Sequence, residues 1–137
     1  MNTLSCLIGI TLAAAVAAFA ALVGFDRDRS FYPTLLIVTA SCYVLFAAIG
    51  ADGPIIGWEA GGLLLFCMAA IVGFRRNLWI VVGAFCCHGL LDAVHDRLIV
   101  NPGTPGWWPI FCLAFDVTAA AYLAWRISRP GHAAGLI

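Results

Sequence analysis

At 137 residues, 64% of them hydrophobic and only 10% charged, the chain carries too little charge to cover a water-facing surface; soluble domains carry about 25% charged residues. Its mean hydropathy is +1.01. Its formal net charge is zero, with seven arginines and no lysine, which excludes a nucleic-acid-binding module with a basic face. The remaining class is all-α: a polytopic transmembrane helix bundle, forming a single integral membrane domain over residues 1–137 in contact with the lipid bilayer.

Apolar runs predict five helices, at about 3–24, 32–51, 55–74, 78–99 and 107–127. Each is close to the ~20 residues that cross a hydrocarbon core. Ala18-Phe19-Ala20 in the first run mimics a signal-peptide cleavage site. No positive segment precedes the run, however, and it is long enough to span, so a retained helix is expected. Asp26-Arg27-Asp28-Arg29-Ser30 fills the first gap and is expected to be a solvated topological anchor, with Pro33 in the first turn of the second helix. Asp52-Gly53-Pro54 is a tight turn, and Arg75-Arg76-Asn77 separates the third and fourth helices. Asn101-Pro102-Gly103-Thr104-Pro105-Gly106 is a stiff connector, after which Trp107-Trp108-Pro109 opens the fifth helix.

The arginines predict orientation. Arg27, Arg29, Arg75, Arg76, Arg126 and Arg129 fall on one side, and Arg97 on the other. The positive-inside rule therefore puts the N-terminus outside and the C-terminus in the cytoplasm, with Trp107 and Trp108 at the outer interface. His132 is expected to be exposed in a polar tail, and Asp96-Arg97 to form a surface pair, Arg97 snorkelling to the headgroups.

Small residues recur every four positions at Gly9, Ala13, Ala17 and Ala21, and again at Gly53, Gly57 and Gly61. Such faces let helices approach closely. Internal packing is the expected use of both, and a homo-oligomer contact through either stripe is the alternative. Six cysteines are present, without a CxxC motif. They read as small buried apolar residues rather than a thiol–disulfide relay.

The most informative segment is His88-Gly-Leu-Leu-Asp92-Ala-Val-His95, inside the fourth apolar run. Positions i, i+4 and i+7 fall on one helical stripe, and ionisable groups at membrane depth are functional candidates by default. With a rise of about 1.5 Å per residue, His95, Asp92 and His88 lie roughly 6, 10 and 16 Å below the outer end of their helix. The same arithmetic puts Glu59 at about 6 Å, Cys112 at about 8 Å and Asp116 at about 14 Å. Three helices thus bring Glu59, His88, Asp92, His95 and Asp116 to the outer half of the bilayer. Ser41, Tyr43, Trp108 and Cys112 are expected to support them.

Imidazole and carboxylate donors suit a divalent transition metal such as Zn or Fe, with His88, Asp92 and His95 as candidate ligands. His88 and His95 are about 10.5 Å apart along the axis, too far to share one ion comfortably. One ion would use one pair together with Glu59 or Asp116. Three functional readings stay open. The first is an outward-facing pocket for a metal ion or a small or lipid-like ligand, with catalysis as one of its uses. The second is a small proton-coupled carrier using the same residues as a relay. The third is a structural subunit of a membrane complex. Gly-rich phosphate loops, nucleophile elbows and haem-attachment motifs are lacking.

The HGxxDxxH segment followed by Asn101-Pro102-Gly103 and Trp107-Trp108-Pro109, together with Asp28-Arg-Ser-Phe-Tyr-Pro33, resembles a family of small bacterial multi-spanning membrane proteins with no assigned activity. The resemblance covers most of the chain. It implies a bacterial inner (cytoplasmic) membrane location and supplies no mechanism. Intramembrane lipid hydrolases with zinc sites are a looser analogy, and no residue role is transferred from them.

Overall fold

The computed structural model describes residues 2–50 and 52–129; His132 lies outside them. Five helices account for most of these residues: α1 (Asn2–Val23), α2 (Phe31–Gly50), α3 (Gly53–Arg75), α4 (Trp79–Leu98) and α5 (Trp108–Ser128). Every boundary lies within two residues of the apolar runs. The punctuation explains why. Gly24, with φ +88°, turns the chain after α1. Ser30 N–H donates to Asp28 Oδ1 ahead of α2, and this bond holds the Asp28 carboxyl below the usual carboxylate range. Pro54 and Pro109 occupy the first turns of α3 and α5, where a missing N–H costs nothing.

Four of the helices, α1, α2, α3 and α5, are long and apolar enough to cross a membrane. The exception is α4. It has the 20-residue length, but it carries Asp92, Asp96 and Arg97. His88, Asp92 and His95 are buried, while Cys86, Cys87, Leu90 and Val94 of the same helix are exposed. The polar stripe thus faces protein, and the opposite face is largely apolar.

In packing order the helices run α1–α5–α4–α3–α2, and α2 also touches α4. This makes α4 the central element. The interior divides along its length. Towards the end bearing Arg27, Arg75 and Arg129, Leu36, Val81, Phe85 and Leu123 form an apolar core with no exposed surface. Towards the end bearing the 99–107 connector, the interior is polar.

The small-residue stripes have different fates. Gly9, Ala13 and Ala17 are buried, and a side chain at Gly9 would strike the Phe111 carbonyl on α5. Ala21 is exposed, and Ala20 takes the buried position instead. The α1 stripe is therefore used within the chain. On α3, Gly53, Gly57 and Gly61 have no atom within 4 Å of where a Cβ would stand, so internal packing is not their use. The reason is that Glu59 turns the opposite side of α3 inward. Helix α3 is buried on one side rather than two.

Two further expectations change. Asp26 is not a solvated anchor: it is 4% exposed and paired with Arg126, which also donates to the Asp26 carbonyl. The two ends of the chain are thereby tied across a hundred residues. Among the cysteines, Cys112 is buried, Cys6, Cys42 and Cys67 are half-buried, and Cys86 and Cys87 are exposed. The inward face of α4 is already filled by Phe85, His88 and Asp92.

Gly9→Leu is expected to lower unfolding stability in detergent by about 1–3 kcal/mol through overpacking against α5. Gly57→Leu should stay within about 0.5 kcal/mol of wild type. Chemical denaturation of the two variants side by side checks both.

Candidate functional site

Two i, i+4 pairs face one another across the α4–α5 contact. Helix α4 presents His88 and Asp92, and α5 presents Cys112 and Asp116. Gly89 allows the close approach, since a Cβ there would already lie 3.2 Å from the Leu113 side chain and 3.6 Å from Asp116 Cβ. His88 Nδ1 lies 2.5 Å from Asp116 Oδ2 and 3.6 Å from Asp92 Oδ2. Cys112 Sγ lies 4.0 Å from Asp116 Oδ2. One donor atom from each of the four residues falls within 4.8 Å of all the others. None of the four residues is more than 1% exposed.

Helix α2 supplies the walls. The Tyr43 hydroxyl donates to Asp92 Oδ1 at 2.7 Å. Thr39, also buried, lies beside Asp116 and donates its hydroxyl proton to the Leu36 carbonyl. From α3, Phe66 presents itself edge-on to the His88 ring, with centroids 4.7 Å apart. Two carboxylate oxygens, Asp92 Oδ2 and Asp116 Oδ1, have no hydrogen-bond partner. Unpaired polar atoms in such an interior cost about 1–3 kcal/mol each. No arginine is paired with the cluster among the described residues.

His95 does not join these four donors. Its Nε2 lies 3.1 and 3.3 Å from the two Glu59 oxygens. Asn101 Nδ2 donates both to Glu59 Oε1 and to the Tyr43 carbonyl, while Asn101 Oδ1 accepts from Gly103 N–H. The His95 ring stacks on Tyr43, with centroids 3.9 Å apart. This second group is a clasp: it joins α2, α3, α4 and the connector at one end of the bundle. A side chain at Gly103 would collide with the Phe46 carbonyl, so glycine lets the connector press directly on α2.

The expected supporting residues divide. Tyr43 and Cys112 touch the cluster. Ser41 does not: its hydroxyl donates to Val38 O of its own helix, because its position on α2 turns it away from α4. Trp108 packs on Phe46, Trp107 and Phe111, and its indole N–H has no partner. Asp96 is exposed, with Oδ1 3.8 Å from His95 Nδ1. Sequence reasoning missed Thr39 and Asn101. Thr39 has no ionisable group to mark it, and Asn101 reads as an ordinary turn residue before Pro102-Gly103.

Comparison with protein-family profiles, curated proteins and solved structures finds no match to this chain. Geometry and donor chemistry therefore carry the functional reading.

Glu59→Ala should destabilise the bundle by about 1–3 kcal/mol by stranding His95 Nε2 and removing one of the two acceptors of Asn101 Nδ2. In a double-mutant cycle with Asn101→Ala, a coupling of about 0.5–3 kcal/mol is expected, as for residues sharing one hydrogen-bond network.

Proposed function

We propose that the protein is a metal-binding membrane protein, with a divalent transition-metal centre held by His88, Asp92, Cys112 and Asp116. The observation that carries this reading is the convergence of imidazole, thiol and two carboxylates at a fully buried point, with two carboxylate oxygens left unpartnered. With both carboxyls ionised, two carboxylates and one imidazole sum to a net negative charge even with His88 protonated. Burying it unbalanced is costly, and a divalent cation balances it.

The fit is geometric as well. At bond lengths of about 2.0–2.3 Å, tetrahedral ligands sit roughly 3.3–3.8 Å apart. The donors here already lie within 4.8 Å of one another, so shifts of about an ångström, inward for the wider pairs and apart for the 2.5 Å His88–Asp116 contact, would complete the shell. Mixed nitrogen, sulfur and oxygen donors suit Zn²⁺ or Fe²⁺. Tyr43 orients Asp92 through its hydroxyl, and Thr39 flanks Asp116, as supporting residues do around metal ligands. With all four side chains bound, the centre is closed and pins α4 to α5. With Cys112 released, the fourth position opens to water or a small ligand, the arrangement of catalytic sites. A bound metal would supply Lewis acidity and charge stabilisation there.

The distribution of arginines supports a bacterial inner-membrane orientation with the N-terminus and this centre's near end outside. A second reading, a proton-coupled carrier, is favoured by the contiguous chain from Tyr43 through Asp92 and His88 to Asp116. Aligned groups of this kind serve as relays.

Elemental analysis of purified protein separates these readings. About one Zn or Fe per chain is expected, lost in His88→Ala and Asp116→Asn and kept in His95→Ala. Tyr43→Phe should weaken metal affinity by about 10–100-fold. Metal-free wild type from cells supplied with Zn and with Fe would overturn the metal centre, and pH-driven flux in liposomes would then favour the carrier.

A further inference from the structure

A cavity of about 260 Å³ opens between the last turns of α4 and the start of α5. Asp92, Asp96 and Arg97 line one side, and Gly106, Pro109 and Ile110 the other. Of the four donors, Asp92 lines this cavity, and His88, Cys112 and Asp116 do not. Asp92 is itself 1% exposed, and its Oδ2 has no partner. It therefore belongs to both spaces: one side of the residue borders the cavity, and its Oδ2 reaches towards His88. One helical turn nearer the mouth, at i+4, stands Asp96, with a side chain 72% exposed. The other faces of the cluster are covered by the Tyr43 and Phe66 rings and by the apolar core.

We propose that this cavity is the loading route of the metal centre: Asp96 captures a hydrated divalent cation at the mouth, and Asp92 passes it inward to His88 and Asp116. The proposal rests on the metal reading above. It requires no covalent or redox step; water is shed as carboxylate oxygens replace it. Arg97 stands at the same mouth with the opposite charge, so it opposes capture. That gives the route an electrostatic signature of two signs, since charges lining a cleft chiefly alter association rates.

Gly106 offers a steric test. A Cβ there would meet no atom within 4 Å, so a large side chain is accommodated at the cavity's edge without displacing backbone. The experiment is stopped-flow binding of Co²⁺ to metal-stripped full-length protein in lipid nanodiscs. It follows the thiolate–cobalt absorbance, with equilibrium titration alongside. Gly106→Trp is expected to slow association and dissociation together by about tenfold or more, leaving stoichiometry and final absorbance unchanged, because an obstructed path alters rates and not endpoints. Asp96→Asn should slow association by about three- to tenfold, and Arg97→Gln should speed it by about twofold. These two changes are on exposed side chains and keep the test decisive if Gly106→Trp folds poorly. Wild-type binding with rates unchanged in Asp96→Asn and Arg97→Gln would overturn the route alone. Absence of Co²⁺ binding in wild type, in the absorbance and in the equilibrium titration alike, would overturn the metal centre itself, and the route with it.

Discussion

Ionisable side chains inside an apolar bundle must find one another, because lipid offers them neither water nor counter-ions. The contact between His88 and Asp116 meets that requirement, and much of the architecture follows from it. It needs α4 and α5 side by side with their i, i+4 pairs in register, which Gly89 permits. It turns the polar stripe of α4 inward, leaving Cys86, Cys87 and Leu90 outside. It also makes α4 the helix around which α2, α3 and α5 assemble. Removing one member of such a buried pair leaves an uncompensated charge, a change that in other proteins costs about 3–5 kcal/mol.

The two polar groups share Tyr43 but differ in the donors they bring together. In the clasp, Glu59 accepts from Asn101 and meets His95, and Asn101 uses both ends of its amide. Those bonds hold neighbouring elements together, with His95 Nδ1 making no hydrogen bond. The cluster below it keeps two carboxylate oxygens without partners despite complete burial. Tyr43 couples the two, with its ring on His95 and its hydroxyl on Asp92. A change in the clasp is thus felt at the cluster through one rigid side chain.

Helix lengths and limits were legible because apolar runs and their Gly, Pro and Asp punctuation obey simple physical rules. The polar candidates were legible for a related reason: a charge in an apolar run is conspicuous, and helical rise sets its depth. The pairing between helices was only half legible. Depth arithmetic brings Glu59 level with His95, and Asp116 close to His88. It gives no azimuth, so it could not separate Tyr43, which faces the cluster, from Ser41, which faces away. The same gap explains the glycines of α3: a four-residue repeat identifies a smooth face without saying what lies against it. Asp26 was misjudged because a loop of alternating charges looks solvated, and its partner Arg126 is a hundred residues away.

That long-range pair bears on how the bundle comes into being. Helix α1 packs principally on α5, the fifth helix in chain order, and Asp26 just after α1 is secured by Arg126 near the end of α5. During synthesis α1 therefore precedes its main partner: its smooth Gly9–Ala13–Ala17 face lacks α5 until α2, α3 and α4 have been made. Its composition suits that interval, since α1 is mostly apolar and carries no charged residue. The polar stripe of α4 also lacks Cys112 and Asp116 until α5 arrives. Arrival of α5 thus completes two interfaces at once, the packing face of α1 and the donor group of α4.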